Sequence, residues 1–404
     1  MIQIAVLGYG TVGSGVVEVI DTNHDSIAQK AGDEINIKYV LDLRDFPGDA
    51  IQEKIVHDFD VILNDPEIRI VVEVMGGVEP AYTFSKKALL AGKSVCTSNK
   101  ELVARHGAEL MEIAREREIN YLFEASCGGG IPIIRPLNSS LTADQIDEIT
   151  GILNGTTNYI LTKMMQEGLD FEEVLKDAQE KGYAERNPEA DVEGYDACRK
   201  IAILSSLAYG RQVDFEDIYT EGITKITAED MKYAKVMNKT IKLLALSKNK
   251  DGKYYAMVAP HLLGQSDPLY PVNGVFNAIF LHGNMLGDAM FYGSGAGKLP
   301  TASAVAGDVV DAARHLKRSI MAFWSREKLE LTDIGSAERR FFIRIQGILE
   351  KELEKVQKAF GPVEVLQVPE LNQEFGCITR AMTEAEYKTK AADFENLLSM
   401  IRVR

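Results

Sequence analysis

The chain has 404 residues, enough for two or three domains with a sizeable buried core. A hydrophobic share of 46% and a charged share of 26% exclude a disordered or fibrous protein. A formal charge of -15, from 60 acidic against 45 basic residues, opposes nucleic acid and anionic membrane surfaces as partners.

No apolar run reaches the roughly 18 residues of a spanning helix. The N-terminus opens on a strand pattern, not on the basic start of a signal peptide, so a cytoplasmic location is expected. Cys96, Cys127, Cys198 and Cys377 lie far apart without CxxC spacing and read as reduced thiols. Six scattered histidines give no zinc pattern.

In chain order, short β-branched runs fall at Ile2–Leu7, Ile35–Leu41, Val61–Leu63, Ile70–Val74, Ser94–Thr97 and Asn120–Glu124. Helical patterns separate them, notably Pro80–Ala91 and Asn99–Arg115. The alternation predicts an α/β unit over 1–131 with a parallel sheet of Rossmann type. From Pro132 the pattern turns to longer helical segments, Leu161–Lys181 and Asp191–Tyr209, punctuated by Gly/Thr/Asn turns. That predicts a second, α+β domain over 132–335. The remaining 336–404 alternates strand, helix, strand, strand, helix, strand: Phe341–Gln346, Ile348–Phe360, Val363–Val368, Phe375–Met382, Glu384–Leu398 and Met400–Val403. Leu349, Leu353, Val356 and Phe360 give its first helix one apolar face for a four-stranded sheet.

Directly after the first strand comes Gly8-Tyr9-Gly10-Thr11-Val12-Gly13, leading into a helical pattern. This is GxGxxG in the context that a dinucleotide requires: Gly8 for the tight turn, Gly10 for approach of the pyrophosphate, Gly13 for close helix packing. The free N–H groups of the helix start then face the phosphates. Glycine-rich turns also serve plain strand-to-helix geometry, and context decides for the cofactor. At the end of the second strand Asp42 fits the ribose 2'-OH of NAD, whereas Arg44 fits the 2'-phosphate of NADP. The pair leaves both open, with a lean to NADP.

Asp196 and Lys200 stand four residues apart and share a helix face with Ile203 and Leu207, so the pair points into protein or a cleft. A solvated i,i+4 salt bridge is the bland alternative. Lys100 follows Ser98-Asn99 at a strand end, the edge where open α/β sheets bind ligands; an exposed lysine at a helix start reads equally well. Consecutive glycines at Gly128–Gly130 free backbone carbonyls for a cation or ligand, or form a simple crossover hinge. Asn154-Gly155-Thr156-Thr157-Asn158 suits a carboxylate or hydroxyl, or is a helix-capping turn.

These residues resemble those of the homoserine dehydrogenases over nearly the whole chain. The carriers are GYGTVGSG from Gly8, SNKELVA from Ser98, EASCGGGIPII from Glu124, GILNGTTNYIL from Gly151, GYAERNPEADVEGYDACRK from Gly182 and FYGSGAGKLPTASAVAGD from Phe291. The resemblance implies NAD(P)H-dependent reduction of L-aspartate 4-semialdehyde to L-homoserine, on the route to threonine, methionine and isoleucine. It makes Lys200 the proton donor and Lys100 a second lysine between cofactor and substrate. Glu185 and Asp196 would hold the substrate's ammonium group, with Asp191 in the same acidic cluster, beside the wall of Asn154, Gly155 and Thr156. Gly182 and Gly297 join the glycine loop and Arg44 at the cofactor. A monovalent cation, usually sodium, would take Glu124 and the carbonyls of Cys127, Gly129 and Ile131. The resemblance also implies that 132–335 binds substrate and carries the dimerisation contact, with the chain returning to the nucleotide domain near 297–320, in a homodimer or homotetramer.

The tail resembles an ACT domain, a βαββαβ module that often senses amino acids, so an effector such as threonine is a hypothesis. Its usual Asp-x-Pro-Gly turn is cut here to Gln346-Gly347-Ile348, and a structural role is the alternative. No aspartate kinase domain is expected ahead of the nucleotide strand. Two rivals remain: a dehydrogenase for a related semialdehyde, and a non-catalytic NAD(P) sensor. Retention of Lys100, Lys200, Glu185 and Asp196 argues against the sensor.

Overall fold

The computed structural model describes residues 1–321 and 323–404. Six strands form one parallel sheet: β1 (Ile2–Leu7), β2 (Ile35–Leu41), β3 (Ile55–Val56), β4 (Ile68–Glu73), β5 (Ser94–Thr97) and β6 (Tyr121–Leu122), in spatial order β3-β2-β1-β4-β5-β6. The order reverses between β1 and β4, which opens a crevice at their carboxyl ends.

Strand periodicity divides β1 between two cores. Ile4 and Val6 meet Val16 and Ile20 of the helix Thr11–Thr22, whereas Ala5 and Leu7 share the other core with Leu102 and Val103 of the helix Lys100–Glu116. The helix Lys298–Arg314 returns to the first face, where Ala302, Val305 and Val309 pack in the same core as Val16. Gly15 makes that approach possible: a Cβ there would lie 2.9 Å from the Lys298 carbonyl.

The expected strand at Val61–Leu63 is instead the helix Phe59–Asn64. Asp58 caps it by accepting from the Asp60 N–H, and Phe59 and Ile62 lie one turn apart facing the core. Asn120–Glu124 shortens to β6 followed by a 3-10 turn, Glu124–Ser126. The segment Leu161–Lys181 is two helices, Gly155–Glu167 and Phe171–Glu180. Gly168, at φ 71°, ends the first, and the Asp170/Glu173 capping box starts the second. A separate short helix, Glu189–Val192, precedes Tyr195–Tyr209.

The second sheet is mixed, and among the described residues it has 11 strands. Its spine runs Gly287–Ser294, Phe276–Gly283, Ile146–Ile152, Lys239–Lys250, Lys253–Gly264, and then continues into the tail. The tail follows the βαββαβ order with one added two-residue strand, Met382–Thr383, paired to Glu338–Gln346; its four main strands are arranged fourth, first, third, second: Leu397–Val403, Glu338–Gln346, Glu374–Ile378 and Glu364–Leu366. It does not stand apart, because the C-terminal strand pairs in parallel with Lys253–Gly264 through His261↔Arg402 and Leu262↔Val403. Arg402 is fully buried there, held by Glu384 and Glu221. All four cysteines are free and buried. Among the described residues no helix is long and apolar enough to cross a membrane.

Candidate active site

At the carboxyl edge of the parallel sheet, Thr97 donates to the buried Glu73 carboxylate at 2.5 Å. Asn99 caps the helix Lys100–Glu116 by accepting from the Leu102 N–H, and its amide reaches the Gly77 carbonyl at 2.6 Å. Lys100 is thereby fixed as the first helical residue, aimed across the crevice. Its Nζ lies 2.8 Å from Asp196 Oδ1.

Asp196 sits in the first turn of the helix Tyr195–Tyr209, where a carboxylate suits the helix dipole. One turn later, Lys200 Nζ donates to Asp196 Oδ2 at 2.6 Å and to the Leu153 carbonyl at 2.8 Å. Both residues are buried, at 5% and 9% exposed. The solvated salt bridge is therefore excluded. Burial alone would raise the Asp196 carboxyl, but the ammonium groups of Lys200 and Lys100 outweigh it and hold the group well below the usual carboxylate range. Reciprocally, Asp196 raises Lys100.

The turn at Asn154 is both cap and site. Asn154 Oδ1 caps the helix Gly155–Glu167 by accepting from the Thr157 N–H at 2.8 Å, while its amide donates to Asp191 at 2.7 Å and Asp196 at 2.9 Å. Burial, and then the neighbouring Asp196 charge, raise Asp191. Gly155 is required by packing, since a Cβ would lie 2.7 Å from the Val275 carbonyl.

These groups line one cavity of about 550 Å³. Lys100, Lys200, Asp196, Asp191, Glu185, Asn154, Gly155, Thr156, Gly182, Gly297, Val12 and Gly129 meet there. Glu185 is exposed, and among the described residues its carboxylate has no hydrogen bond or ion pair. Ser98, Ser126, Tyr183, Val275, Ser294 and Thr301 also line the cavity. Ser98 and Ser294 sat inside quoted motifs without being singled out, and Val275 had no signal in the sequence.

Gly8, Tyr9, Gly10, Thr11, Gly13, Arg44, Glu124, Cys127 and Ile131 lie outside that lining. The glycine loop fits a dinucleotide on its own geometry. A Cβ on Gly13 would stand 1.9 Å from the Gly8 carbonyl, Gly10 faces open space, and no side chain caps the helix start at Thr11. Gly8 takes φ 97°, which favours glycine. Asp42 accepts from the Tyr9 N–H at 2.9 Å, and Arg44 folds back onto that carboxylate with two contacts of 3.0 Å. Those Arg44 bonds hold Asp42 well below the usual carboxylate range.

In the loop after β6, the buried Glu124 carboxylate accepts three backbone N–H bonds, from Ile133, Ile134 and Arg135, at 2.6–2.9 Å. Its side chain is committed to that crossover. Among the described residues the carbonyls of Cys127, Gly129 and Ile131 take no turn or loop hydrogen bond, which leaves carbonyl oxygens as the donors available to a hard cation.

A parallel nucleotide-binding sheet whose carboxyl edge faces a pocket of lysines and carboxylates is the arrangement of a dinucleotide-dependent oxidoreductase. Two family profiles match: "Homoserine dehydrogenase, NAD binding domain" over residues 8–124, and "Homoserine dehydrogenase" over 132–310. A homoserine dehydrogenase of Bacillus subtilis is 42% identical over 79% of this chain and 74% of its own. The crystal structure of a homoserine dehydrogenase from Thiobacillus denitrificans superposes with a TM-score of 0.91 at 32% identity, covering 100% of this chain and 98% of that one. A hyperthermophilic archaeal homoserine dehydrogenase in complex with NADPH matches at 30% identity and a TM-score of 0.66, over 77% of this chain and 97% of its own. The chain belongs to the homoserine dehydrogenase family of NAD(P)-dependent oxidoreductases.

Proposed function

We propose that the chain reduces L-aspartate 4-semialdehyde to L-homoserine with NADPH or NADH, that Lys200 supplies the proton, and that Lys100 assists. One observation carries the assignment. Lys200 Nζ has three N–H groups, of which two are engaged by Asp196 and Leu153, and the residue lines the cavity. The third is available to a substrate oxygen. Hydride transfer to the aldehyde carbon, the chemistry the nicotinamide supplies when bound, builds charge on that oxygen. The Lys200 ammonium neutralises the charge and then protonates it, while Asp196 holds the amine in place. The substrate's ammonium group meets Asp191 and the unpaired Glu185, and the Asn154–Thr156 turn forms the wall beside it.

The free carbonyls of Cys127, Gly129 and Ile131 support a sodium site, with Glu124 contributing through its main-chain oxygen, which it shares with the Cys127 N–H at 3.4 Å. For the cofactor, Gly8, Tyr9, Gly10, Thr11, Val12 and Gly13 would cradle the pyrophosphate, with Gly182 and Gly297 nearby. Arg44 favours NADP, since it already neutralises Asp42 and its exposed side chain can exchange that partner for a 2'-phosphate; the NADPH complex of the archaeal relative supports the same lean.

We take the chain as three units, 1–131, 132–335 and 336–404, the last an ACT-like domain by its strand order. Residues 311–404 lie beyond both matched profiles. The unit acts in the cytoplasm as a homodimer or homotetramer, in synthesis of threonine, methionine and isoleucine. An amino-acid effector at the tail is tested by activity across threonine concentrations, which the effector reading requires to fall. The substrate is tested by following NADPH oxidation with aspartate 4-semialdehyde against its one-carbon-longer homologue. Turnover confined to the first is expected, and equal turnover would refute the assignment.

A further inference from the structure

Where the tail joins the middle sheet, a second cavity of about 700 Å³ opens between the strand Lys239–Lys250, the strand Lys253–Gly264 and the tail residues Ser336–Arg339 and Val403–Arg404. Its charges do not balance internally. Glu148 is engaged by Arg404 at 3.0 Å and Lys248 at 3.1 Å, and Arg404 also takes Asp267. That leaves Arg339, Lys250 and Glu338, whose side chains make no hydrogen bond and no ion pair among the described residues, so two cations face one carboxylate and the lining keeps an excess of positive charge. The Arg339 Nε is buried without a partner. Burial lowers this guanidinium from its usual range, the nearby Arg402 charge adds to the effect, and the Glu384 carboxylate opposes it without cancelling it. A buried cationic donor left unmatched costs free energy that an anion in the cavity would offset.

His261, from the same lining, fixes what that anion carries. It is 2% exposed, and its Nδ1 lies 2.9 Å from the Ala259 carbonyl, which only accepts. Nδ1 therefore bears the proton, and Nε2, buried without a partner, is a lone-pair acceptor. Burial and the surrounding Arg402 and Arg339 charges keep the ring neutral. The site thus offers cations for anionic oxygens and one acceptor for a hydroxyl.

We propose that this seam cavity binds a small hydroxyl-bearing anion, a hydrogen phosphate or a hydroxycarboxylate, through Arg339 and Lys250 with its O–H donated to His261 Nε2, so that the ligand bridges the middle sheet and the tail. The site lies away from the candidate active site and shares no lining residue with it.

The experiment is calorimetric titration of the full chain, saturated with NADP to cover the nucleotide phosphate site, using inorganic phosphate, malate and succinate as probes. Phosphate is expected to report the mineral source and malate the organic one. Saturable binding of at least one is expected. Malate should bind about tenfold more tightly than succinate, which lacks the hydroxyl, if the organic anion is the ligand. Arg339→Gln should weaken the bound probe at least about tenfold and leave NADPH-dependent turnover unchanged. Lys250→Gln, on an exposed side chain at a strand end, gives the same direction should Arg339→Gln unfold the tail. No saturable binding of phosphate or malate, or binding that both variants leave unchanged, overturns the proposal.

Discussion

Two carboxylate–cation pairs in this molecule, Asp196 with Lys200 and Asp42 with Arg44, have opposite settings. Asp196 and Lys200 are buried, clamped by Asn154 and the Leu153 carbonyl, and shared with a second lysine. Asp42 and Arg44 lie at the rim of the parallel sheet, where the Arg44 side chain is 62% exposed. The first pair is a fixed electrostatic arrangement in which losing one member strands the others in a low-dielectric site. The second is a switchable one: Arg44 exchanges partners at little cost, because water screens it. Catalysis calls for the first kind of pair, and choice between two similar cofactors for the second.

The comparison breaks most sharply at Asp196. Asp196→Asn leaves two ammonium groups facing each other without their carboxylate, and kcat/KM is expected to fall by roughly 10²-fold or more, with a loss of about 3 kcal/mol of stability. Steady-state kinetics and denaturant unfolding measure both; a change under about threefold in each would mean that the buried cluster is not the working unit.

At the rim the effect is smaller and confined to one cofactor. Arg44→Ala should raise the KM for NADPH about tenfold and leave that for NADH within about twofold, because Asp42 is then free for a ribose hydroxyl. Equal changes with both cofactors would show that Arg44 only orders the loop.

Glu73 sharpens the contrast by supplying a buried carboxylate with no lysine. Burial raises its carboxyl from 4.5 to about 7, against the hydrogen bonds from Thr97 and the Met75 N–H. The folded form therefore binds its proton more tightly than the unfolded one. The stability that this linkage contributes is complete below about pH 4.5 and lost as the pH rises through about 7. Glu73→Gln should flatten that slope, measured as the midpoint of urea unfolding between those pH values. An unchanged slope would place the titration elsewhere.

The contrast also explains how much was legible in the sequence. The glycine loop and the alternating strands are local patterns, so the parallel sheet and the cradle follow from them. Asp196 and Lys200 were readable because helical spacing sets them on an apolar stripe. Arg44 was not decidable, because its position depends on a flexible side chain. The helix Phe59–Asn64 was misread as strand because its Val61-Ile62 pair is β-branched, and the Asp58 cap overrode that preference. Attachment of the tail through His261↔Arg402 joins residues 141 apart in the chain, and nothing local marks it. Val275 enters the cavity through the same kind of distant packing, against Gly155.

The most direct test of the account is the oxidation of NADPH with aspartate 4-semialdehyde by the native chain and by Lys200→Ala, compared at matched occupancy of the cofactor site. The account expects kcat to fall by about 10³-fold with cofactor affinity retained, the scale of removing both a proton donor and the cation beside a developing alkoxide. A variant that keeps more than about a tenth of native kcat would contradict it, since another group would then have to supply the proton.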